Sequence, residues 1–163
     1  MHRRELAGLA VGLVLCALWS GQIAASDWPQ LQHDAAHTGY TSDQPEPPYR
    51  YLWHRDLEEP MATANQVIVA NGKVFVSTGN GNLYALDRRT GKTVWVYKTS
   101  APILGSPAYE AGTVYVNSMD HYCHAVKADS GQGLWRFRTS EGIWAAPVVA
   151  EAKIYVAGRD GFV

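Results

Sequence analysis

The sequence has 163 residues, enough for about one domain. Its formal net charge is −1, so no strongly basic face is implied and a nucleic-acid partner is not expected. Charged residues make up only 18%, whereas six Trp, nine Tyr and three Phe give a high aromatic content. This balance is typical of β-rich proteins, in which large side chains pack between sheets.

The N-terminal stretch, which ends at Ser26, has the layout of a secretory signal peptide. Arg3 and Arg4 precede an apolar run over residues 6–19, and small residues follow it. The run is shorter than the roughly 20 residues that a membrane-spanning helix needs. We therefore expect cleavage near Ser26–Asp27, and a mature chain that is exported to the periplasm or the cell exterior without a membrane span.

The cysteines add little to this interpretation. Cys16 lies inside the apolar run and follows Leu15, whereas a lipidated cysteine follows a small residue, so lipidation is not expected. After cleavage Cys123 is the only cysteine left, and no intramolecular disulfide can form.

An internal repeat dominates the rest of the chain. Residues 72–111 align with residues 112–151 without a gap, and ten of the forty positions are identical: Gly, Val, Val, Ala, Gly, Trp, Thr, Ser, Ile and Pro. A third copy begins at Lys153 with "KIYVAGRDGFV". A period near 40 with strand-like content predicts a β-propeller with one four-stranded blade per repeat.

The local pattern predicts four short strands in each repeat. Alternating β-branched and aromatic residues indicate strands, and segments rich in Gly, Asn and Asp indicate the turns between them. The predicted strands lie in residues 73–78, 82–87, 93–99 and 105–112 of the first repeat, and in residues 113–118 and 145–152 of the second. Frequent Gly and Pro argue against helical repeats of similar period.

Both repeats place an Ala, a Gly and a Trp in the same register. The residues are Ala85, Gly91 and Trp95, and then Ala125, Gly131 and Trp135. Glycine allows a tight turn between the strand that carries the Ala and the strand that carries the Trp, and the small Ala leaves room for a neighbouring indole. Burying a Trp is worth on the order of 3–5 kcal/mol. We therefore expect each Trp to dock onto the Ala-to-Gly segment of the adjacent repeat.

These residues resemble the tryptophan-docking motif A-x-D-x-x-x-G-x-x-x-W of the PQQ-like repeat β-propellers. Ala85, Asp87, Gly91 and Trp95 match it fully, whereas the second copy has Lys127 in place of the Asp. The stretch "DWPQLQHDAAHTGYT" resembles the start common in exported members of this family. The following "YLWHRD" would then be the outer strand that closes onto the last blade.

The resemblance implies an all-β, incomplete propeller with two full blades and part of a third. The expected organisation is a signal peptide over residues 1–26, an N-terminal segment with the closing outer strand over residues 27–65, and truncated propeller repeats over residues 66–163. Open sheet faces would leave Trp95, Trp135 or Trp144 partly exposed. Because unpaired strand edges favour association, we expect the isolated chain to be aggregation-prone or oligomeric.

The resemblance leaves two kinds of function open. Quinoprotein dehydrogenases hold pyrroloquinoline quinone and calcium on the axis of an eight-bladed propeller, whereas BamB-like scaffolds and exported binding propellers are not enzymes. Calcium needs six or more oxygen ligands, and the acidic residues are scattered here: Asp56, Glu58, Glu59, Asp87, Asp120, Asp129 and Asp160. The dehydrogenases often carry an adjacent Cys pair, which Cys123 alone cannot supply.

The expected function is therefore that of a non-enzymatic binding or assembly scaffold in the cell envelope, with a protein or other envelope component as partner. The alternative is the N-terminal part of a quinone-dependent alcohol or sugar dehydrogenase, and only then would the quinone and calcium be cofactors. A structural or sensor propeller attached to another domain is a third possibility.

No catalytic, cofactor-binding or metal-binding residue is assigned. His33 and His37 have i,i+4 spacing but belong to the family-like N-terminal segment. His121, Cys123 and His124 cluster in sequence, but alternation along a strand puts Cys123 and His124 on opposite faces, which disfavours a shared metal. The site residues expected from the sequence are thus those of the structural docking motif.

Overall fold

The computed structural model describes residues 26–44, 47–62 and 65–163, so the predicted signal peptide, apart from Ser26, lies outside the described residues together with Cys16. Within these ranges the regular elements are all strands. They are β1 Ile68–Ala70, β2 Lys73–Ser77, β3 Asn82–Asp87, β4 Thr93–Lys98, β5 Ala108–Glu110, β6 Thr113–Asn117, β7 Tyr122–Lys127, β8 Gly133–Arg138, β9 Val148–Ala150 and β10 Lys153–Tyr155. The described part of the chain has no helix that is long and apolar enough to cross a membrane.

The strands form two four-stranded sheets and one two-stranded sheet. The first blade has the order β1-β2-β3-β4, the second has β5-β6-β7-β8, and β9 pairs with β10 in the third. All neighbours are antiparallel. The predicted all-β, incomplete propeller is confirmed, with two full blades and part of a third.

The blade boundaries are shifted by one strand relative to the sequence repeat. The strand predicted at the end of the first repeat is β5, and it pairs with β6 rather than with β4. The last strand of the second repeat, β9, likewise opens the third sheet. The physical reason is connection length, because β5 and β6 are joined by the short turn Ala111–Gly112 whereas residues 99–107 separate β4 from β5.

The main core lies between the first two blades. Its fully buried members include Ile68, Phe75 and Leu83 of the first blade, and Val114 and Val126 of the second. The ring of Phe75 is the centre of an aromatic cluster, with the Tyr109 ring stacked at 6.4 Å and the Trp95 ring at 5.8 Å between centroids. Alternation along the strands thus gives the first and second blades apolar faces that pack on each other.

The segment predicted as a closing outer strand, residues 51–56, is not paired in a sheet in the described part of the chain. A strand needs a hydrogen-bonding neighbour, and the last blade onto which this segment was expected to close is not among the described elements. The segment nevertheless packs on the first blade. Trp53 and Leu57 contact a second apolar cluster formed by Val74, Val76 and Leu86.

The far face of the second blade is open. Every residue of β8 is exposed, and on the side that continues the blade series Trp135 is 46% and Phe137 60% exposed. A cleft of about 770 Å³ separates this face from β10, and Cys123 and Ile154 line it together with Phe137. Adjacent exposed aromatic residues beside an apolar cleft are typical of a docking surface.

We expect Phe137→Lys to reduce self-association of the chain, because it places a charge in this apolar cleft. The measurement is molar mass by light scattering after gel filtration over a range of protein concentrations. Val96→Lys is the matched control, since Val96 lies at the corresponding strand of the first blade and is 46% exposed. An equal effect of both variants would mean that added charge alone, and not the cleft, controls association.

Candidate functional site

Trp95 joins the first blade to the second. Its indole Nε1 donates a hydrogen bond to the carbonyl of Ala128, the first residue of the β7–β8 turn, at 2.9 Å. The ring lies directly on Gly131, since a Cβ added there would be 2.7 Å from Trp95 Cδ2. Gly131 also has φ of +73°, a conformation that side-chain-bearing residues resist. The structure thus brings Trp95 and Gly131 together across the blade junction.

Trp53 of the N-terminal segment makes the equivalent indole contact with the first blade. Its Nε1 donates to the carbonyl of Arg88 at 2.9 Å, and a Cβ on Gly91 would lie 2.6 Å from Trp53 Cε3. The sequence motif did not identify Trp53, because its distance from Trp95 departs from the period of the repeat and no Ala-to-Gly register precedes it. The signal that could have identified it is its place in "YLWHRD", the segment expected to be an outer strand like the one that carries Trp95.

The small residue of the motif faces the Trp of its own blade. Ala85 is fully buried and pairs across the strands with Trp95, and Ala125 pairs in the same way with Trp135. The strand register shifts directly after each Ala, which carries the chain into the glycine turn. The Trp135 ring lies 5.9 Å from the Tyr115 ring of its own blade.

Asp87 shapes the turn that Gly91 completes. One carboxylate oxygen accepts hydrogen bonds from the hydroxyl and the N–H of Thr90 and from the N–H of Arg89. The hydrogen bond from the Thr90 hydroxyl is the main cause of a lowered pKa at Asp87. Lys127 offers no acceptor side chain, yet its carbonyl accepts from the N–H of Gly131 at 2.9 Å, as the Asp87 carbonyl does from Gly91.

A buried polar chain accompanies the second junction, which lies between the first and second blades; the first junction lies between the N-terminal segment and the first blade. The Tyr97 hydroxyl on β4 lies 3.0 Å from His124 Nδ1 on β7, and His124 Nε2 lies 3.1 Å from the Asp120 carboxylate. His124 is only 3% exposed. A carboxylate can only accept, so Nε2 is the donor, and in the neutral imidazole Nδ1 then accepts the proton of the Tyr97 hydroxyl. These three side chains therefore connect two blades through hydrogen bonds centred on a buried imidazole.

Asp120 also ties the end of β4 to the second blade. Burial works to raise its pKa, but the hydrogen bonds from the Ser100 N–H and the His124 ring outweigh burial and hold the pKa below its ordinary value. Burial and the Asp120 charge raise the pKa of Tyr97. The same link recurs at the next junction, where the Ser140 N–H donates to Asp160 at 3.1 Å.

Cys123 points away from this polar chain. It faces the cleft beside β10, while His124 faces the first blade, as strand alternation predicts. Burial raises the pKa of its thiol to about 12, so it is a neutral apolar group rather than a nucleophile.

A different polar group fills the first junction. The Glu59 carboxylate accepts hydrogen bonds from the Thr78 hydroxyl at 2.5 Å, the Asn82 amide at 2.8 Å and the Tyr84 hydroxyl at 2.6 Å. Burial opposes ionisation of Glu59, yet these three donors lower its pKa. The cluster thus anchors the N-terminal segment to β3.

His33 and His37 of the N-terminal segment have different surroundings. The His33 ring contacts the edge of the Trp28 ring at 4.9 Å between centroids, whereas His37 lines a pocket. Among residues 26–44, 47–62 and 65–163, no group of three or more His, Cys, Asp or Glu side chains is placed to hold a metal ion.

That pocket, the inner pocket, lies between the N-terminal segment and the loops that enter β5 and β9. Its volume is about 520 Å³. It is lined by Leu31, His37, Leu104, Gly105, Ser106, Trp144, Ala145, Ala146, Val148, Tyr155, Ala157 and Val163. Trp144 is 54% exposed, and the Arg159 guanidinium lies over its ring at 5.0 Å. The pocket is therefore mainly apolar, and a cation–π pair formed by Arg159 and Trp144 lies at its rim.

The polar side chains that line the inner pocket are few. In the described part of the chain they are the His37 imidazole, the Ser106 hydroxyl, the Trp144 indole with its N–H and the Tyr155 phenol, without a carboxylate. Calcium takes six to eight oxygen ligands, mostly carboxylates and carbonyls, and a quinone with three carboxylates needs several cationic or N–H donors. The lining contributed by this chain does not fit either group.

We expect Gly131→Ala to destabilise the chain far more than Gly112→Ala. Both glycines have positive φ, so each change costs about 1–2 kcal/mol of backbone strain, but only the Cβ at Gly131 meets an indole, while the space around Gly112 is open. Displacing Trp95 adds about 1–3 kcal/mol. Urea unfolding of both variants measures the difference, and equal losses would contradict the docking contact.

The stability of the chain should fall with acid partly through Asp120. Because the pKa of Asp120 is lowered by folding, its contribution is present above the ordinary value of 3.8 and is lost as pH falls through the folded pKa. Asp120→Asn should therefore lose less unfolding free energy than the wild type as the pH falls from about 5 to about 2. Glu141→Gln, an equal charge change at an exposed residue, should keep the wild-type slope.

Solved structures with a similar fold include quinoprotein dehydrogenases and BamB. A quinohemoprotein alcohol dehydrogenase from Comamonas testosteroni shares 25% identity over 78% of this chain and 22% of its own, with a TM-score of 0.68. BamB from Moraxella catarrhalis shares 25% over 68% of this chain and 34% of its own, with a TM-score of 0.59. A europium-containing methanol dehydrogenase matches at 18% identity, 78% and 26% coverage and a TM-score of 0.62, which shows the fold alone.

The chain spans only about a fifth to a third of the length of these solved structures. No curated protein matches it significantly. A family model described as outer membrane protein assembly factor BamB matches residues 50–123 and 105–163, which together make up more than half of the chain. The chain therefore belongs to the PQQ-like repeat family of the outer membrane protein assembly factor BamB.

Proposed function

We propose that this chain is part of an exported propeller that acts as a non-enzymatic binding or assembly scaffold in the cell envelope, with a protein as its partner. The observation that carries the proposal is the inner pocket with Trp144 and Arg159 at its rim. Tryptophan and arginine dominate the binding energy of many protein interfaces, and an exposed Trp beside an apolar pocket is a typical anchor point.

The chemistry of the pocket supports a protein partner over a redox cofactor. An apolar lining suits the apolar side chains of a partner, while the few polar groups give little for a tricarboxylate or a calcium ion to bind. The family of the chain also supports this proposal, since its description is that of an assembly factor. The signal-peptide-like pattern that precedes Asp27 supports export to the periplasm or beyond.

The alternative is the N-terminal part of a quinone-dependent alcohol or sugar dehydrogenase. The observation in its favour is the structural match to a quinohemoprotein alcohol dehydrogenase, with a TM-score of 0.68. In that case acidic and cationic groups from outside this chain would have to complete the site, and Trp144 would offer its ring to the quinone.

Two measurements on the same residue separate these functions. A photo-crosslinking amino acid at Trp144, introduced in the source cells, should give a discrete protein adduct, and the same amino acid at Val96 should not, although Val96 is similarly exposed at 46% against 54%. Titration of the chain with pyrroloquinoline quinone and calcium should leave its tryptophan fluorescence without saturable quenching. Saturable quenching that Trp144→Phe weakens, together with quinone-dependent dye reduction, would favour the dehydrogenase.

A further inference from the structure

The inner strands β1, β5 and β9 each present one edge that no other strand of their sheet covers. Each pairs with the second strand of its blade across a short turn. Hydrogen-bonded and non-hydrogen-bonded pairs alternate along such a ladder, so the middle residue directs its N–H and C=O to the uncovered edge. The middle residues are Val69, Tyr109 and Val149, whose spacing is the period of the sequence repeat.

Two successive backbone units of the N-terminal segment meet the first two of these edges. The N–H of Trp28 donates to the carbonyl of Val69 at 2.6 Å, and the N–H of Val69 donates to the carbonyl of Trp28 at 2.9 Å. The carbonyl of Pro29 then accepts from the N–H of Tyr109 at 2.7 Å. Proline suits this place because it has no N–H that would need a partner of its own.

The third edge is met by a side chain. Gln30 Oε1 accepts from the N–H of Val149 at 3.2 Å, and Gln30 Nε2 donates to the carbonyl of Val149 at 3.3 Å. The carboxamide thus takes the place of a peptide group from a neighbouring strand. Gln30 is only 7% exposed, and burying an amide is unfavourable unless both of its halves are hydrogen-bonded, as they are here.

We propose that Trp28, Pro29 and Gln30 act as a clasp, which holds three successive blades together at their inner edges and closes those edges to strand addition by another chain. One residue of the clasp serves one blade, at positions that recur with the period of the propeller. Uncovered strand edges are the sites at which chains associate, so their closure has a direct consequence for assembly. The clasp does not depend on the function proposed above.

Amide hydrogen exchange on the full chain tests the clasp one blade at a time. Gln30→Ala should raise exchange at the Val149 amide about two- to tenfold, the range expected for loss of one hydrogen bond. Amides of the central strands β3 and β7 should keep their wild-type rates. Gln44→Ala is the matched control, because Gln44 belongs to the same segment and is exposed.

A second variant tests both halves of the carboxamide. At about pH 7, Gln30→Glu keeps an acceptor for the Val149 N–H but places a carboxylate oxygen against the Val149 carbonyl, so protection of the Val149 amide from exchange should fall. At about pH 4 the protonated carboxyl can again donate to that carbonyl, and the protection should recover. Unchanged exchange at Val149 in Gln30→Ala, or an equal rise throughout β3 and β7, would overturn the clasp. So would a Gln30→Glu chain whose protection is the same at both pH values.

Discussion

The fold depends on the contact between an indole and a glycine of the next blade. A glycine with positive φ leaves its backbone uncovered by a side chain, and the indole ring packs on it, as Trp95 does on Gly131. The indole N–H also donates a hydrogen bond to a carbonyl earlier in the same turn, which for Trp95 is that of Ala128. Trp53 makes the same contact with Gly91 and Arg88. Each contact joins one unit only to its neighbour, so stability accumulates along the series as in other repeat proteins.

The two described junctions share this indole contact but differ in their polar groups. Glu59 with its three donors belongs to the first junction, and the chain Tyr97–His124–Asp120 belongs to the second. A polar group placed against the wrong neighbour would lose its hydrogen-bond partners, which at the buried His124 costs about 1–3 kcal/mol. The indole contact therefore supplies general affinity between blades, while the unlike polar groups fix their order.

Features that recur in each repeat could be predicted from the sequence, because the same residue types return at the same positions. The propeller fold followed from the register of the repeat, and strand alternation correctly separated Cys123 from His124. The blade boundaries were missed, since the alignment alone does not tell which sheet β5 or β9 joins and only the short turn Ala111–Gly112 indicates it. Trp53 was missed because its spacing departs from the period.

The contacts that Gln30 makes with the inner edge of β9 could not be predicted from the sequence, for another reason. They occur once in the described chain, so no repeat reports them, and they use a side chain in place of a peptide group. Trp144 was noted in the sequence only as a tryptophan that an open face would expose. Its place at the rim of a pocket depends on how the loops before β5 and β9 meet the N-terminal segment, which is a tertiary arrangement.

The inner and outer edges of the blades are protected in different ways, and this decides how a further element can attach. The inner edges are hydrogen-bonded by residues 28–30. The outer strand β8 carries Arg136 and Arg138, and charges on an edge strand oppose pairing with another strand. Arg136 is held over the Tyr122 ring at 4.4 Å, while Trp135 and Phe137 face the open cleft. Attachment through the apolar face of the second blade is therefore favoured over strand addition at its edge, and that is the geometry with which the first two junctions are already built.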